Sequence, residues 1–156
     1  MADGTYGIEM SDGDVAEFLT RQGHGVLSFG GDVPYGLPVS FGYDVLNNRC
    51  IFQLVFHEGS EKQARLDESP HVSLVSYEWK GPDDWRSVVI TGKLSPVEDT
   101  DSAVLDASEV FAEYASAAGL SVFDRPADEL DPEWYELRID ELNGRHSPAS
   151  GSAATE

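Results

Sequence analysis

The sequence predicts a mainly β (α+β) fold, in which six antiparallel strands form a closed or nearly closed barrel with flanking helices. Three observations predict it. Six short segments have the periodicity of strands, most connections between them are only a few residues long, and two other stretches have helical periodicity. A doubly wound sheet is not predicted, because the glycines lack the spacing of a dinucleotide-binding turn.

One domain accounts for nearly all of the chain. Its 156 residues, 40% of them hydrophobic, suffice for one core that needs no disulfide. We expect this domain to span residues 1–146 and the small, polar residues 147–156 to form a disordered tail. The single cysteine, Cys50, lies between Ile51 and Phe52, which indicates a buried apolar position.

The apolar period predicts two helices. Ser11 can cap the first helix, and Gly23 suits the left-handed turn that ends it. The apolar period changes again at Thr100, where a second helix is predicted to begin and to run to about Gly119.

The strongest predicted strand is 49–56, because its alternate side chains are apolar on both faces, and we therefore expect it to be central. Pro38 cannot donate a hydrogen bond to a strand ladder, which implies a sheet edge or a bulge at that position. Asn143 and Gly144 are expected to stop the last strand. The predicted strands are 24–30, 35–43, 49–56, 71–79, 85–97 and 134–142.

The charge of the chain argues against several classes of partner. With 10 Lys and Arg against 29 Asp and Glu, the formal net charge is −19, which disfavours nucleic acid and anionic membrane surfaces. No apolar run approaches the roughly 18 residues of a membrane span, and the first residues lack an export signal, so we expect a cytoplasmic protein. Abundant carboxylates and few lysines also suggest a halophilic source, a hypothesis that predicts greater stability in molar KCl.

The positive charge is concentrated in the middle of the chain. Residues 49–93 have six basic and seven acidic side chains, a net charge of −1, whereas the remaining residues have four basic and 22 acidic ones. This segment is the expected place for a small anionic group. The alternative is that its arginines pair with neighbouring carboxylates.

The sequence HEGSEKQARL, residues 57–66, follows the strongest predicted strand. Ser60 and Gln63 form a capping box, so a short helix is predicted to begin at Ser60. The amides of its first turn and the ammonium of Lys62 are the components of a phosphate cradle. The alternative interpretation is an ordinary helix start.

Two of the predicted strands also have features of a ligand site. The main-chain groups beside Pro38 can hydrogen-bond a flat heterocycle, although a simple edge explains the proline equally well. Trp85 and Arg86 place an aromatic ring and a cation at the start of a strand, where the alternative is a core anchor beside an exposed arginine. No metal site is predicted. The histidines expected to have surface or structural roles are His24, His71 and His146.

The order of GVLSF, PVSF, HEGSEK and WRSVVITGKLSPV along the chain resembles the pyridoxamine 5'-phosphate oxidase-like flavin-binding split-barrel proteins, most closely their nitroimidazole-resistance-type branch. The resemblance covers about residues 11–97 and continues more weakly to the last strand. It implies a six-stranded antiparallel split β-barrel that forms a homodimer and binds FMN in two clefts at the subunit interface. The residues that bind pyridoxal phosphate in the true oxidase have no match, so vitamin synthesis is not implied.

The same resemblance implies which residues contact the flavin ring. Pro38, Val39 and Ser40 would lie along the isoalloxazine. The residues of the partner subunit that would complete the pocket are Trp85, Ser87 and Val88.

The resemblance also implies a phosphate site in residues 57–66. Ser60 and Lys62 would hold the ribityl phosphate, and His57 occupies the family's histidine position. His57 is the only side chain that we nominate near the chemistry. Glu61 departs from the family pattern, in which an arginine frequently precedes the lysine.

Together, these features predict an FMN-dependent oxidoreductase that transfers hydride between a reduced nicotinamide donor and a small organic acceptor. Because the flavin supplies the electron chemistry, the lack of a strong acid, base or nucleophile constellation is expected. Three alternatives stay open: a deazaflavin-dependent reductase of the same barrel class, a non-catalytic flavin-binding or redox-sensing module, and a dimeric interaction domain with an empty cleft.

Overall fold

The computed structural model describes residues 7–31, 34–54, 69–115 and 133–148. Its helices are α1 (Asp12–Gln22) and α2 (Asp101–Tyr114). Its strands are β1 (Ile8–Glu9), β2 (His24–Phe29), β3 (Tyr35–Ser40), β4 (Gly42–Asp44), β5 (Arg49–Leu54), β6 (His71–Gly81), β7 (Asp84–Pro96) and β8 (Glu133–His146). The strands form one antiparallel sheet in the order β3-β2-β6-β7-β8-β5-β4, and β1 pairs with β8 outside this path.

The prediction of a mainly β split barrel is confirmed. The two end strands of the sheet, β3 and β4, are consecutive in the sequence and are joined by Phe41, so the sheet curls back on itself as a half-barrel. Phe41 is fully buried, and its N–H donates to the carbonyl oxygen of Gly23 at 2.9 Å. This break divides the predicted strand 35–43 in two. Pro38 lies in the edge strand β3, one of the two positions that the sequence predicts.

The first helix begins and ends where the sequence predicts. The Ser11 hydroxyl accepts a hydrogen bond from the Asp14 N–H at 3.1 Å, and Gly23 ends the helix in the left-handed conformation, with φ of 66°. The helix closes the inner side of the sheet with one apolar face. The side chains that it buries there are Val15, Phe18 and Leu19.

The strand predicted to be central lies next to an edge instead, since β5 is between β8 and the end strand β4. It is nevertheless buried on both faces. Cys50 and Phe52 face the main core, whereas Ile51 faces α2 and packs in a second, smaller cluster with Ala107. The apolar pattern of β5 therefore results from its burial under α2 and does not indicate a central strand.

The last strand does not stop at the predicted turn. It runs to His146, and both Asn143 and Gly144 stay paired with β7. A Cβ added at Gly144 would lie 2.7 Å from Cγ2 of Val15 and 3.0 Å from Sδ of Met10. The glycine is therefore explained by the close approach of neighbouring side chains and not by a turn.

The second helix begins where the apolar period changes, with Thr100 as its cap, and ends at Tyr114 rather than near Gly119, because Ala115 takes an extended conformation. Neither described helix has the length and apolar character needed to cross a membrane. Of the predicted tail 147–156, only the first two residues lie in the described part of the chain.

Candidate functional site

Part of the outer side of the sheet is not covered by either described helix. Helix α2 packs on the outer side of β4, β5 and β8. Neither described helix covers the outer side of β2, β3, β6 and β7, which we call the open face. Four large side chains on it are substantially exposed: Val26 at 37%, Tyr77 at 57%, Trp79 at 61% and Val89 at 42%. Apolar surface of this kind is typical of an interaction site.

An apolar row crosses the open face from its edge strand. Pro38 pairs with Val26, Val26 with Val75, and Val75 with Val89. Directly paired residues of antiparallel strands project on the same side of a sheet. The row is therefore a continuous apolar strip across four strands.

A pocket of about 700 Å³ lies beside this strip. Ser28, Ser73 and Thr91 are successive register partners across β2, β6 and β7, so their hydroxyls form a polar row two residues further along each strand. The complete lining is Ser28, Phe29, Gly30, His71, Val72, Ser73, Thr91, Gly92, Asp140 and Glu141.

A β-bulge shapes the wall of the pocket that β8 provides. Thr91 pairs with Glu141, but the next residue of β7 pairs with Ile139, so Asp140 is an extra residue in β8. Consecutive residues of a regular strand point to opposite faces. The bulge removes this alternation locally and allows Asp140 and Glu141 both to line the pocket.

Local sequence patterns do not indicate this pocket. The available signal is Gly92, an isolated glycine inside the predicted strand 85–97, since such a glycine often marks a bulge or a close backbone approach. A Cβ added there would overlap the carbonyl oxygen of Arg138. That signal marks the point on β7 opposite the bulge but does not say which residues of β8 lie there.

Six of the predicted cofactor-binding residues lie in the described part of the chain. Those that project from the open face are Pro38, Ser40, Trp85 and Ser87. The side chains of Val39 and Val88 are buried in the core, so only their main-chain atoms are available to a ligand on the open face.

The described fold does not bring these six residues into one site within a single chain. Strands β2 and β6 lie between β3, which has Pro38, and β7, which has Ser87. Three strand spacings, about 14 Å, separate these two strands. The prediction that the second group comes from a partner subunit is compatible with this separation.

The predicted phosphate cradle lies outside the described residues. His57, Ser60 and Lys62 fall within 55–68, so the structure does not describe their surroundings. The described chain resumes at Ser69, whose hydroxyl is 3.3 Å from Nδ1 of His71 in the pocket wall.

A buried charge network lies on the side of the sheet that α2 covers. Arg49 is 2.9 Å from Asp44, 2.8 Å from Asp106 and 2.9 Å from Glu136. Burial opposes ionisation of Asp44, but hydrogen bonds from Asn47 and Arg49 outweigh it and lower the pKa of that carboxyl. Because its partners lie on α2, β4 and β8, we assign Arg49 a structural role.

Among the described residues, neither the cysteine nor the possible metal ligands indicate a second functional site. Burial raises the pKa of the Cys50 thiol, which keeps it protonated and unreactive. Within the described ranges, no three His, Cys, Asp or Glu side chains are grouped so that they would hold a metal ion.

Several solved structures share this fold. An FAD-binding protein from Mesorhizobium loti superposes with a TM-score of 0.72 at 18% identity, covering 92% of this chain and 99% of its own. An FAD-binding protein from Mycobacterium smegmatis gives 0.65 at 15% identity, with coverages of 90% and 98%. A protein assigned to 5-nitroimidazole antibiotic resistance in Bacteroides thetaiotaomicron gives 0.67 at 15% identity, with coverages of 89% and 86%. No curated protein is similar enough in sequence to count as a match.

The sequence itself identifies the family. A family model described as pyridoxamine 5'-phosphate oxidase matches residues 11–146. That range begins at the cap of α1, ends at the last residue of β8 and includes the open face and its pocket. The chain therefore belongs to the pyridoxamine 5'-phosphate oxidase family.

Proposed function

We propose that the protein is a homodimeric FMN-dependent oxidoreductase, which transfers hydride between a reduced nicotinamide donor and a small organic acceptor. The observation that carries the proposal is the open face, on which an apolar strip beginning at an edge strand lies beside a hydroxyl-lined pocket. Membership of the family supports it as well.

The open face fits an isoalloxazine ring in shape and in chemistry. The ring is flat, with an apolar benzenoid end and a polar pyrimidine end, and so requires an apolar surface beside hydrogen-bonding groups. The strip from Pro38 to Val89 provides the apolar surface. The edge strand β3 provides the hydrogen-bonding groups, because alternate main-chain groups of an edge strand point away from its neighbour.

A homodimer would cover the exposed aromatic and aliphatic side chains of the open face. On this proposal, Pro38, Val39 and Ser40 of one subunit line the ring. Ser87 and Val88 of the other subunit, together with its Trp85, close the pocket. Two hydrogen bonds fix the main chain of Trp85, because its N–H donates to the Ser147 hydroxyl at 3.2 Å and its carbonyl accepts from the Ser147 N–H at 2.9 Å.

The phosphate is proposed to bind at Ser60 and Lys62, with His57 nearest to the chemistry. A bound flavin supplies the electron chemistry, whereas the protein positions it and excludes water. The net charge of −19 also leads us to propose a halophilic source, in which screening by salt permits an anionic cofactor to approach.

The proposal specifies FMN rather than FAD as the flavin. Two structurally similar proteins are described as FAD-binding. The motifs PVSF, HEGSEK and WRSVV of this chain, by contrast, resemble those of an FMN site. FMN has one phosphate and FAD has two, so FAD would require more cationic groups near the pocket than Lys62 alone.

The test is an absorbance spectrum of protein purified in molar KCl, followed by mass spectrometry of the released ligand. We expect yellow protein that releases FMN. Release of FAD or a deazaflavin would reject FMN alone, whereas colourless protein that fails to bind added flavins would reject the whole proposal. Stopped-flow mixing with reduced nicotinamide then tests catalysis, since a non-catalytic module would be reduced slowly or not at all.

A further inference from the structure

The described lining of the pocket beside the apolar strip does not contain any of the six predicted cofactor-binding residues that the structure describes. Thr91 in its lining is four residues from Ser87 along β7, a separation of about 13 Å. On the β3 side, the pocket row is displaced from the row of Pro38 by two residues, or about 7 Å. A ring on the strip would therefore border the pocket without filling it.

The polar groups that line the pocket favour a ligand that donates hydrogen bonds. The carboxylates of Asp140 and Glu141 only accept, whereas the hydroxyls of Ser28, Ser73 and Thr91 accept as well as donate. His71 is the remaining titratable group of the lining. A ligand with a carboxylate or phosphate would have to approach the two acidic side chains.

A single metal ion is not the expected ligand. His71, Asp140 and Glu141 all line the pocket, yet they are not grouped closely enough to hold one ion. A molecule that reaches from the hydroxyl row to the carboxylate wall would use both sets of groups. The volume of about 700 Å³ is within the ordinary range for small-molecule sites.

We infer that this pocket binds a small planar cation or amino-substituted ring, with its N–H groups directed at Asp140 and Glu141 and its ring edge at the hydroxyls of β2, β6 and β7. The bulge in β8 makes this selectivity possible, because it places two consecutive carboxylates on one wall. If the ligand is also the electron acceptor, that identification rests on the proposed function. The charge selectivity of the pocket is independent of the proposed function.

A positively charged side chain also lies close to the pocket, so anion binding is a distinct alternative that an experiment can test. Lys93 pairs with His71 on one side and with Arg138 on the other, in the register row just beyond the hydroxyl row. The Arg138 guanidinium is 3.3 Å from Glu136, whereas Lys93 has no ion pair among the described residues. An anion attracted to Lys93 is therefore the competing outcome.

The experiment measures binding of benzamidinium, and of benzoate as an anion of similar size and shape, by calorimetry. It uses the full chain at the lowest KCl concentration that keeps the protein folded. We expect benzamidinium to bind and benzoate not to bind. In the variant Asp140→Asn/Glu141→Gln, the affinity for benzamidinium should fall by about tenfold or more, as for lost charged hydrogen bonds.

The matched control is Glu98→Gln/Asp99→Asn, which neutralises two consecutive exposed carboxylates outside the pocket. Unchanged affinity in this control separates local recognition from general attraction to an acidic protein. Equal affinity in all three proteins, absence of benzamidinium binding, or benzoate binding at least as tight as that of benzamidinium would each overturn the inference.

Flavin content measured on the same samples separates the two proposals. Protein that binds benzamidinium selectively but takes up no flavin would reject the oxidoreductase and leave the cation site standing. Flavin-loaded protein that does not discriminate between the two probes would reject the cation site alone.

Discussion

The guanidinium of Arg49 lies 2.9 Å from the carboxylate of Glu136, and this ion pair joins β5 to β8 beneath α2. Both side chains are largely buried, at 13% and 8% exposure. The same guanidinium also reaches Asp44 on β4 and Asp106 on α2. One cation thus connects four elements on the side of the sheet opposite the core.

Replacing this cation is expected to destabilise the fold strongly. Arg49→Leu removes the cation that the buried carboxylates of Asp44 and Glu136 share, and breaking a buried ion pair in this way typically costs about 3–5 kcal/mol of the free energy of unfolding. The matched control is Arg138→Leu, because Arg138 contacts the same Glu136 at 3.3 Å but is 74% exposed. We expect the control to lose less than about 1 kcal/mol. Denaturant unfolding of both variants at one KCl concentration checks this, and equal losses would contradict the assigned role of Arg49.

Asp44 is expected to contribute to acid sensitivity. The pKa of its carboxyl is lower in the folded protein than the ordinary value of 3.8, so the unfolded state binds its proton at a higher pH than the folded state does. The resulting stabilisation is complete above 3.8 and is lost as the pH falls through the folded-state pKa.

Comparison with Asp44→Asn isolates this contribution. Asparagine cannot ionise, so the difference in unfolding free energy between the wild type and the variant should be constant near neutral pH and shrink below the ordinary aspartate pKa. Denaturant unfolding over a pH series provides the measurement. A difference that does not change with pH would mean that the charge of Asp44 contributes no stability.

Gly144 and Gly13 are expected to respond to alanine in opposite directions. At Gly144 the added methyl group would lie 2.7 Å from Val15 and 3.0 Å from Met10, and overpacking of this kind costs about 1–3 kcal/mol. At Gly13, in α1, nothing lies within 4 Å of an added Cβ, so Gly13→Ala should stabilise the protein by up to about 1 kcal/mol. Thermal melts of the two single variants check both signs, and a stabilising Gly144→Ala would refute the packing argument.

These examples show which features of the fold a single sequence can predict. The limits of α1 depend on local hydrogen bonds and on backbone conformation at Ser11 and Gly23, so the signals lie next to the features that they predict. The strand segments likewise follow from local alternation. By contrast, the continuation of β8 through Gly144 depends on Val15, a residue distant in sequence, and local turn propensity gave the wrong expectation.

The candidate site divides in the same way. Pro38 marks an edge strand because its missing N–H is a local property. The pocket wall at Asp140 depends on the register between β7 and β8, and the hydroxyl row depends on the pairing of three strands. Neither register is encoded in a single segment, so local sequence patterns do not predict the pocket.

Molar KCl is expected to stabilise the protein. At a net charge of −19 the folded chain repels itself, and 1 M salt shortens the screening length to about 3 Å. The same salt weakens exposed ion pairs such as Arg21 to Glu78, at 3.4 Å, but such pairs contribute little to stability. Thermal melts across a KCl series should therefore show a rising melting temperature. Equal or better stability at low salt would contradict the halophilic hypothesis.

The proposed dimer predicts that a charge on the open face separates the subunits. Val89 lies in the apolar strip and is 42% exposed, so Val89→Glu would place a carboxylate inside the interface and leave the core unchanged. Val45, in the turn between β4 and β5, is 51% exposed and lies away from the open face, which makes Val45→Glu the matched control. We expect the wild type and the control to sediment as dimers and Val89→Glu as a folded monomer with reduced flavin content. The proposed flavin site needs residues from both subunits. A Val89→Glu dimer that retains its flavin would therefore place the subunit interface elsewhere.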